Sequence, residues 1–90
     1  EHIVVEESAK CLVLRMRAVP ALDSTAMNAL TALTKTCESK GVTIVFSHVN
    51  EQPMKVMVKS GFVDLVGKEN FCPNIRAALD HAEKIIATAK

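Results

Sequence analysis

Apolar residues follow two different spacings along the chain, and together the spacings predict a small α/β fold. Cys11–Met16 is an almost unbroken apolar run, the pattern of a strand buried on both faces of a parallel sheet. Ser24–Lys40 instead places apolar residues three and four apart, which predicts an amphipathic helix that ends at Gly41. The predicted buried stripe of this helix is Ala26, Leu30, Leu33 and Cys37, widened by Met27 and Ala29.

The alternation continues in the middle of the chain. Val42–Phe46 is short and β-branched, which predicts a second buried strand. The next helical pattern begins at Asn50 and runs to about Ser60, with Asn50 as its expected cap and Pro53 tolerated in its first turn. Strands joined to helices by short links predict a small, mainly parallel sheet flanked by helices.

The two ends of the chain complete the predicted elements. Val63–Val66 is predicted as a strand, and Gly67–Pro73 as a loop. Glu1–Glu7 fits either an edge strand or the last turn of a helix, and the helix is favoured because Glu6–Ala9 resembles a loop that follows one. Asn74 is the expected cap of a last helix with one apolar face, which comprises Ile75, Ala78, Leu79, Ala82, Ile85 and Ile86.

Composition narrows the classes of function. A chain of 90 residues with a net charge of +1 fits one small domain, residues 1–90, without the basic face of a nucleic-acid binder. No apolar run approaches the roughly 18 residues that span a bilayer, so direct membrane insertion is not expected. The three cysteines, Cys11, Cys37 and Cys72, are odd in number and far apart, which indicates free thiols rather than a disulfide framework.

The junction between the first strand and its helix carries the most chemistry. Asp23 is the expected N-cap, with a carboxylate able to accept the backbone N–H of Thr25 or Ala26. Ser24 and Thr25 then lie in the first turn, where the helix dipole favours negative charge. A phosphate group would be electrostatically well placed at this position.

This junction also carries a family resemblance. Val-Pro-Ala-Leu-Asp-Ser-Thr-Ala-Met, then a helix, Lys-Gly, a Val/Ile-rich strand and a second helix ending Lys-Ser-Gly-Phe, resembles a STAS domain. That family includes the cytoplasmic C-terminal domains of SulP-type sulfate permeases and the bacterial anti-sigma-factor antagonists. The later Gly-Lys-Glu-Asn-Phe-Cys-Pro-Asn-Ile-Arg-Ala-Ala-Leu resembles the last loop and helix of the permease branch. The resemblance covers Cys11–Leu79 in the family's order.

The resemblance implies a non-enzymatic regulatory domain of a SulP-type anion transporter, on the cytoplasmic side of a bacterial inner membrane. The expected partners are the transmembrane domain of the same transporter, a cytosolic regulatory protein or a second copy of the domain. Pro20, Ala21 and Leu22 would form the partner-contact turn, next to the Asp23 cap. Because family members usually carry a strand or hairpin and a helix before the strand at Cys11, the chain is expected to be a fragment lacking its N-terminal strand or strands.

The antagonist branch implies a different function, a free-standing phosphoswitch. In that branch the serine directly after the aspartate is phosphorylated, which would make Ser24, or Thr25 beside it, the phosphoacceptor. The antagonists usually have glycine two residues after that serine, whereas this chain has Ala26. The simpler alternative is that Ser24 is an ordinary helix-start serine, and the sequence leaves both interpretations open.

A second group of polar residues follows the second strand. Ser47, His48 and Asn50 lie at the carboxyl end of a predicted parallel strand, where open α/β sheets tend to bind ligands. Weak anion or nucleotide contact is one interpretation, and a solvated loop histidine is the other, since no Gly-rich phosphate motif is present. The three histidines share no metal-ligand spacing, and Asp23 has no neighbouring base, so neither a metal, another cofactor nor a catalytic residue is expected.

Overall fold

The computed structural model describes the backbone of residues 4–7 and 11–88, and the side chains of residues 11–87. Its elements are β1 (Val4–Glu7), β2 (Cys11–Arg15), α1 (Ser24–Ser39), β3 (Thr43–Ser47), α2 (Glu51–Lys59), α3 (Phe62–Val66), a 3₁₀ helix (Lys68–Asn70), β4 (Phe71–Cys72) and α4 (Ile75–Thr88). In these ranges the strands form one sheet in the order β1-β2-β3-β4, with β2, β3 and β4 parallel. The predicted mainly parallel sheet flanked by helices is therefore confirmed.

The sheet is buried on both faces because successive side chains of each strand point to opposite sides. One face, which contains Leu14 and Phe46, packs against α1, α2 and α3 in the larger core cluster. The other face, which contains Val13 and Val45, packs against α4 through Ala78. This two-sided burial explains why the β2 sequence is an almost continuous apolar run.

The buried stripe of α1 is rotated slightly from the predicted one. Met27, Leu30, Thr34 and Cys37 are buried, whereas Leu33 is only partly buried and Ala29 is exposed. The Thr34 hydroxyl donates to the Leu30 carbonyl at 2.9 Å, which satisfies its polar group inside the core. Because threonine is polar, the sequence pattern did not include Thr34 in the predicted buried stripe.

The favoured interpretation of Glu1–Glu7 as the end of a helix is wrong for Val4–Glu7. These residues form β1, which pairs antiparallel with β2 from Val4↔Arg15 to Glu7↔Leu12. The remaining residues of that segment, 1–3, lie outside the described residues. Short apolar runs fit either kind of element, and here strand pairing decides the outcome.

The predicted strand Val63–Val66 is also wrong, because this run is the helix α3. Gly61 adopts a left-handed φ of 82°, and the Leu65 N–H donates to its carbonyl at 3.1 Å. The third parallel strand is instead Phe71–Cys72, inside the predicted loop Gly67–Pro73. A two-residue strand leaves too short a pattern for the sequence to reveal.

The last helix begins as predicted, with Asn74 Oδ1 accepting the Ala77 N–H at 2.8 Å. Its apolar face is broader than its contact with the sheet. Ala78 and Ala82 are buried, but Leu79 and Ile86 are each 41% exposed. Only part of the predicted apolar face therefore packs on the sheet.

A polar contact that the sequence did not suggest links α4 to the 3₁₀ helix. His81 Nε2 lies 2.8 Å from Asn70 Oδ1, and Asn70 Nδ2 donates to the Val66 carbonyl at 2.9 Å. Since the amide nitrogen is the donor in the second bond, its oxygen is the acceptor in the first, and His81 donates from Nε2. Asn70 is buried, so these bonds satisfy its amide and fix the approach to β4.

Candidate functional site

The corner between β2 and α1 has the geometry that its sequence predicts. Asp23 is extended, with φ −99° and ψ 178°, and its Oδ1 accepts the Ala26 N–H at 2.8 Å. The helix starts at the next residue, Ser24, so the predicted cap is confirmed. Such a cap contributes about 1 kcal/mol by satisfying one of the free N–H groups of the first turn.

The corner is exposed at all but one of its predicted contact positions. Pro20, Ala21, Ser24 and Thr25 are exposed, as is Asp23 itself. Leu22 is different, because its side chain is only 5% exposed and packs into the larger core cluster. The prediction of Leu22 as a contact residue is wrong for the side chain, which instead anchors the corner. We call the five exposed residues Pro20, Ala21, Asp23, Ser24 and Thr25 the corner surface.

Asn50 holds the first half of this corner in place. Its Nδ2 donates to the Arg17 carbonyl at 3.0 Å and to the Val19 carbonyl at 2.9 Å. Asn50 occupies the N-cap position of α2, but its side chain makes no capping hydrogen bond. The predicted capping by this side chain is wrong, because the amide is used to hold a distant loop.

Gln52 holds the second half of the corner. Its Oε1 accepts the Leu22 N–H at 2.8 Å, and its Nε2 donates to the Leu22 carbonyl at 3.3 Å. We call Asn50 and Gln52 together the amide clamp. The clamp joins residues about thirty positions apart in the chain, so no local sequence signal could have revealed it.

A shallow groove of about 430 Å³ lies beside the corner surface. It is lined by Pro20, Asn50, Glu51, Gln52 and Lys55. Lys55 and Glu51 form an ion pair at 3.4 Å, but both side chains are well exposed. Such exposed pairs contribute little to stability, so both charges are available to a neighbouring molecule.

The polar residues predicted at the end of the second strand are placed differently from one another. Ser47 is buried, and His48 is exposed with a left-handed φ of 53°. Asn50 has both amide hydrogens committed to the corner, so it has no donor left for an anion. The structure therefore separates Asn50 from the other two residues, whereas Ser47 and His48 line one cavity.

Clusters of metal ligands and reactive thiols are two features that could serve catalysis. No group of three His, Cys, Asp or Glu side chains able to hold a metal ion is found among the described residues. Burial raises the pKa of the Cys72 thiol, and burial also raises the pKa of Cys11. Both thiols therefore stay protonated near neutral pH, where a protonated thiol is a weak nucleophile.

None of the helices within 11–88 combines the length and apolar character needed to cross a bilayer. The longest, α1, has 16 residues and carries polar side chains through its exposed face. The apolar surface of the described helices is instead directed mainly at the sheet.

Comparison with known proteins gives consistent matches in sequence and in structure. The model of the STAS domain family matches residues 1–81. A probable sulfate transporter 4.2 from Arabidopsis thaliana is 29% identical over 68 residues, or 76% of this chain. The chain spans only about 10% of the length of that relative.

Two solved structures share the fold closely. One is a sulfate transporter family protein from Wolinella succinogenes, with a TM-score of 0.85 and 34% identity over 94% of this chain and 70% of that one. The other is the STAS domain of a SulP transporter from Vibrio cholerae, with a TM-score of 0.82 and 30% identity over 91% of this chain and 64% of that one.

Proposed function

Because the chain belongs to the STAS domain family, we propose that it is the regulatory and docking domain of a SulP-type anion transporter. Two solved relatives with at least 30% identity are described as a sulfate transporter family protein and a SulP transporter STAS domain, which supports this branch of the family. In this proposal the domain lies on the cytoplasmic side of the membrane and catalyses no reaction. It acts through the surface that it presents to the rest of the transporter or to a regulatory protein.

The observation that carries the proposal is the corner surface. Its residues are exposed, yet the backbone beneath them is held by the Leu22 side chain and by the amide clamp. A surface that is ordered before it binds loses less conformational entropy on association, so more of the contact energy becomes affinity. Exposed residues on a rigid frame are therefore suited to docking.

The neighbouring groove extends the area available to a partner. A specific interface usually covers about 800 Å² on each side, which is more than one turn of chain supplies. The groove adjoins the corner surface at Pro20 and adds the charges of Glu51 and Lys55. We propose that the transmembrane domain of the same transporter covers both, with the charged pair at the polar edge of the contact.

The alternative function, a free-standing phosphoswitch, uses the same corner in another way. Ser24 is exposed at the helix start, so a kinase could reach its hydroxyl. A phosphate there would add nearly two negative charges beside Asp23 and change which partners the corner accepts. The relatives found by comparison are transporters and do not favour this alternative.

Reading the gene upstream of the codon for Glu1 tests the proposal against its alternative. We expect a continuous reading frame that encodes many apolar segments of about 20 residues each, the length that spans a bilayer. A reading frame that starts shortly before Glu1 and encodes no such segment would contradict the transporter proposal. In that case, intact-mass measurement of the protein from its native cells would show whether Ser24 carries phosphate.

A further inference from the structure

On the face of the sheet that packs against α4, the side chains change from apolar to polar at the carboxyl ends of the parallel strands. Cys11 and Val13 of β2 face α4, and Arg15, two residues further, lies on the same face. Arg15 is paired in register with Ser47, which is paired in turn with Cys72. The last row of the parallel strands is thus polar, and it lies at their carboxyl ends, beside the start of α4.

A cavity of about 220 Å³ opens at this row. It is lined by Arg15, Arg17, Ser47, His48, Asn74 and Ile75. Among the described residues, this lining includes two arginines and one histidine, and no Asp or Glu. In the part of the chain that the structure describes, no carboxylate forms an ion pair with either arginine.

Ser47 gives the cavity a buried polar group that bonds to no other described side chain. Its side chain is only 2% exposed, and its hydroxyl makes no hydrogen bond with another described residue. Within the described part of the chain, every fully enclosed side-chain polar atom has a hydrogen-bond partner. The Ser47 hydroxyl has none there, so it is not fully enclosed and is open to the cavity that Ser47 lines. A hydroxyl in this position can bond to water or to a ligand that enters the cavity.

The start of α4 reaches the same cavity through Asn74 and Ile75. Asn74 Oδ1 accepts the Ala77 N–H, which leaves the N–H groups of Ile75 and Arg76 without an intrahelical acceptor. These groups lie at the positive end of a 14-residue helix. Arg15, Arg17, Ser47 and His48 thus meet the positive end of α4 at one cavity, on the edge of the sheet where its parallel strands end.

We propose that this cavity binds a small tetrahedral oxyanion of the sulfate or phosphate class. Arg15 and Arg17 provide the charge and the paired N–H donors that suit such an anion, and Ser47 provides a hydroxyl from the floor of the cavity. The site differs from the predicted contact of Ser47, His48 and Asn50, because it includes Arg15 and Arg17 and does not include Asn50. The proposal does not depend on the docking function of the corner surface.

Titration of the 90-residue domain with sodium sulfate, and separately with sodium phosphate, tests this site by amide NMR at constant ionic strength. We expect saturable shifts of the Ile75, Arg76 and His48 resonances, with a Kd of about 1 mM for a partly exposed site. Replacing both arginines, Arg15→Gln with Arg17→Gln, should weaken binding at least tenfold. Lys40→Gln is the control, because it removes one charge at the C-terminal end of α1, outside the cavity lining, and it should leave binding unchanged.

Three results would overturn the proposal. The first is a linear, unsaturated response to both anions at about 10 mM, ten times the expected Kd. The second is equal binding by the double arginine variant, whose fold would be checked by circular dichroism. The third is binding of GTP in a parallel titration without binding of either inorganic anion, because the base would then carry the recognition.

Discussion

Replacing Phe46 by alanine is expected to lower the free energy of unfolding by about 3–5 kcal/mol. The side chain is fully buried, and its ring contacts two others. The Phe62 ring meets it edge-on at 5.6 Å, and the Phe71 ring stacks on it at 5.0 Å. Phe46 therefore joins β3 to α3 and β4, and alanine would leave a cavity among all three elements.

Urea denaturation followed by circular dichroism measures this loss as a lower midpoint at an unchanged slope. Phe46→Leu keeps most of the buried apolar volume and should lose clearly less stability than Phe46→Ala. Val58→Ala is the surface control, since Val58 is 60% exposed, and it should change the free energy by less than about 0.5 kcal/mol. A Phe46→Ala midpoint equal to that of Val58→Ala would contradict the packing described here.

Removing the amide clamp is the second change with a large expected effect. The double variant Asn50→Ala with Gln52→Ala deletes four hydrogen bonds to the backbone of the corner. Each is worth about 0.5–1.5 kcal/mol, and water replaces part of it at this partly exposed position, so we expect a loss of about 1–3 kcal/mol. The corner surface should also become mobile, because Leu22 would then be held by its side chain alone.

Hydrogen exchange separates this local effect from general destabilisation. The Leu22 N–H donates to Gln52 Oε1 in the wild type. The ratio of its exchange rate in the variant to that in the wild type should be at least ten times the same ratio for amides of β3. Asn28→Ala removes an exposed amide of α1 and is the matched control, expected to change neither stability nor exchange. Unchanged protection of Leu22 in the double variant would show that the clamp does not hold the corner.

Most elements that sequence patterns predicted correctly have a clear apolar spacing, a helix cap or both. α1 has sixteen residues, a capping aspartate and a terminating glycine, and all three signals agree. The helix after Asn74 was located by its spacing and its cap, whereas the helix after Asn50 was located although the Asn50 side chain makes no capping hydrogen bond. Local signals of this kind act over a single turn of chain, so they can be read without knowledge of the tertiary fold.

The elements that were missed depend on partners far away in the chain. Val4–Glu7 forms a strand because it pairs with β2. Val63–Val66 forms a helix because Phe71–Cys72 occupies the position beside β3 in the sheet. The same limit applies to the sites. Gln52 holds the corner because it bonds to Leu22, and Arg15 lines the cavity beside Ser47 because the two are paired in the sheet. Neither pairing can be predicted from the local sequence.

The central claim is that the corner surface docks on the membrane part of a transporter, and its most direct test is one affinity measurement. The labelled domain would be titrated against the transmembrane domain encoded upstream in the same gene, held in nanodiscs. Ala21→Arg places a bulky charge on the corner surface, and Ala87→Arg places the same charge on the exposed end of α4, on the other side of the sheet. We expect Ala21→Arg to weaken binding at least tenfold, a loss of about 1.4 kcal/mol or more, while Ala87→Arg binds as wild type does. Wild-type affinity in Ala21→Arg, or an equal loss in both variants, would contradict the claim.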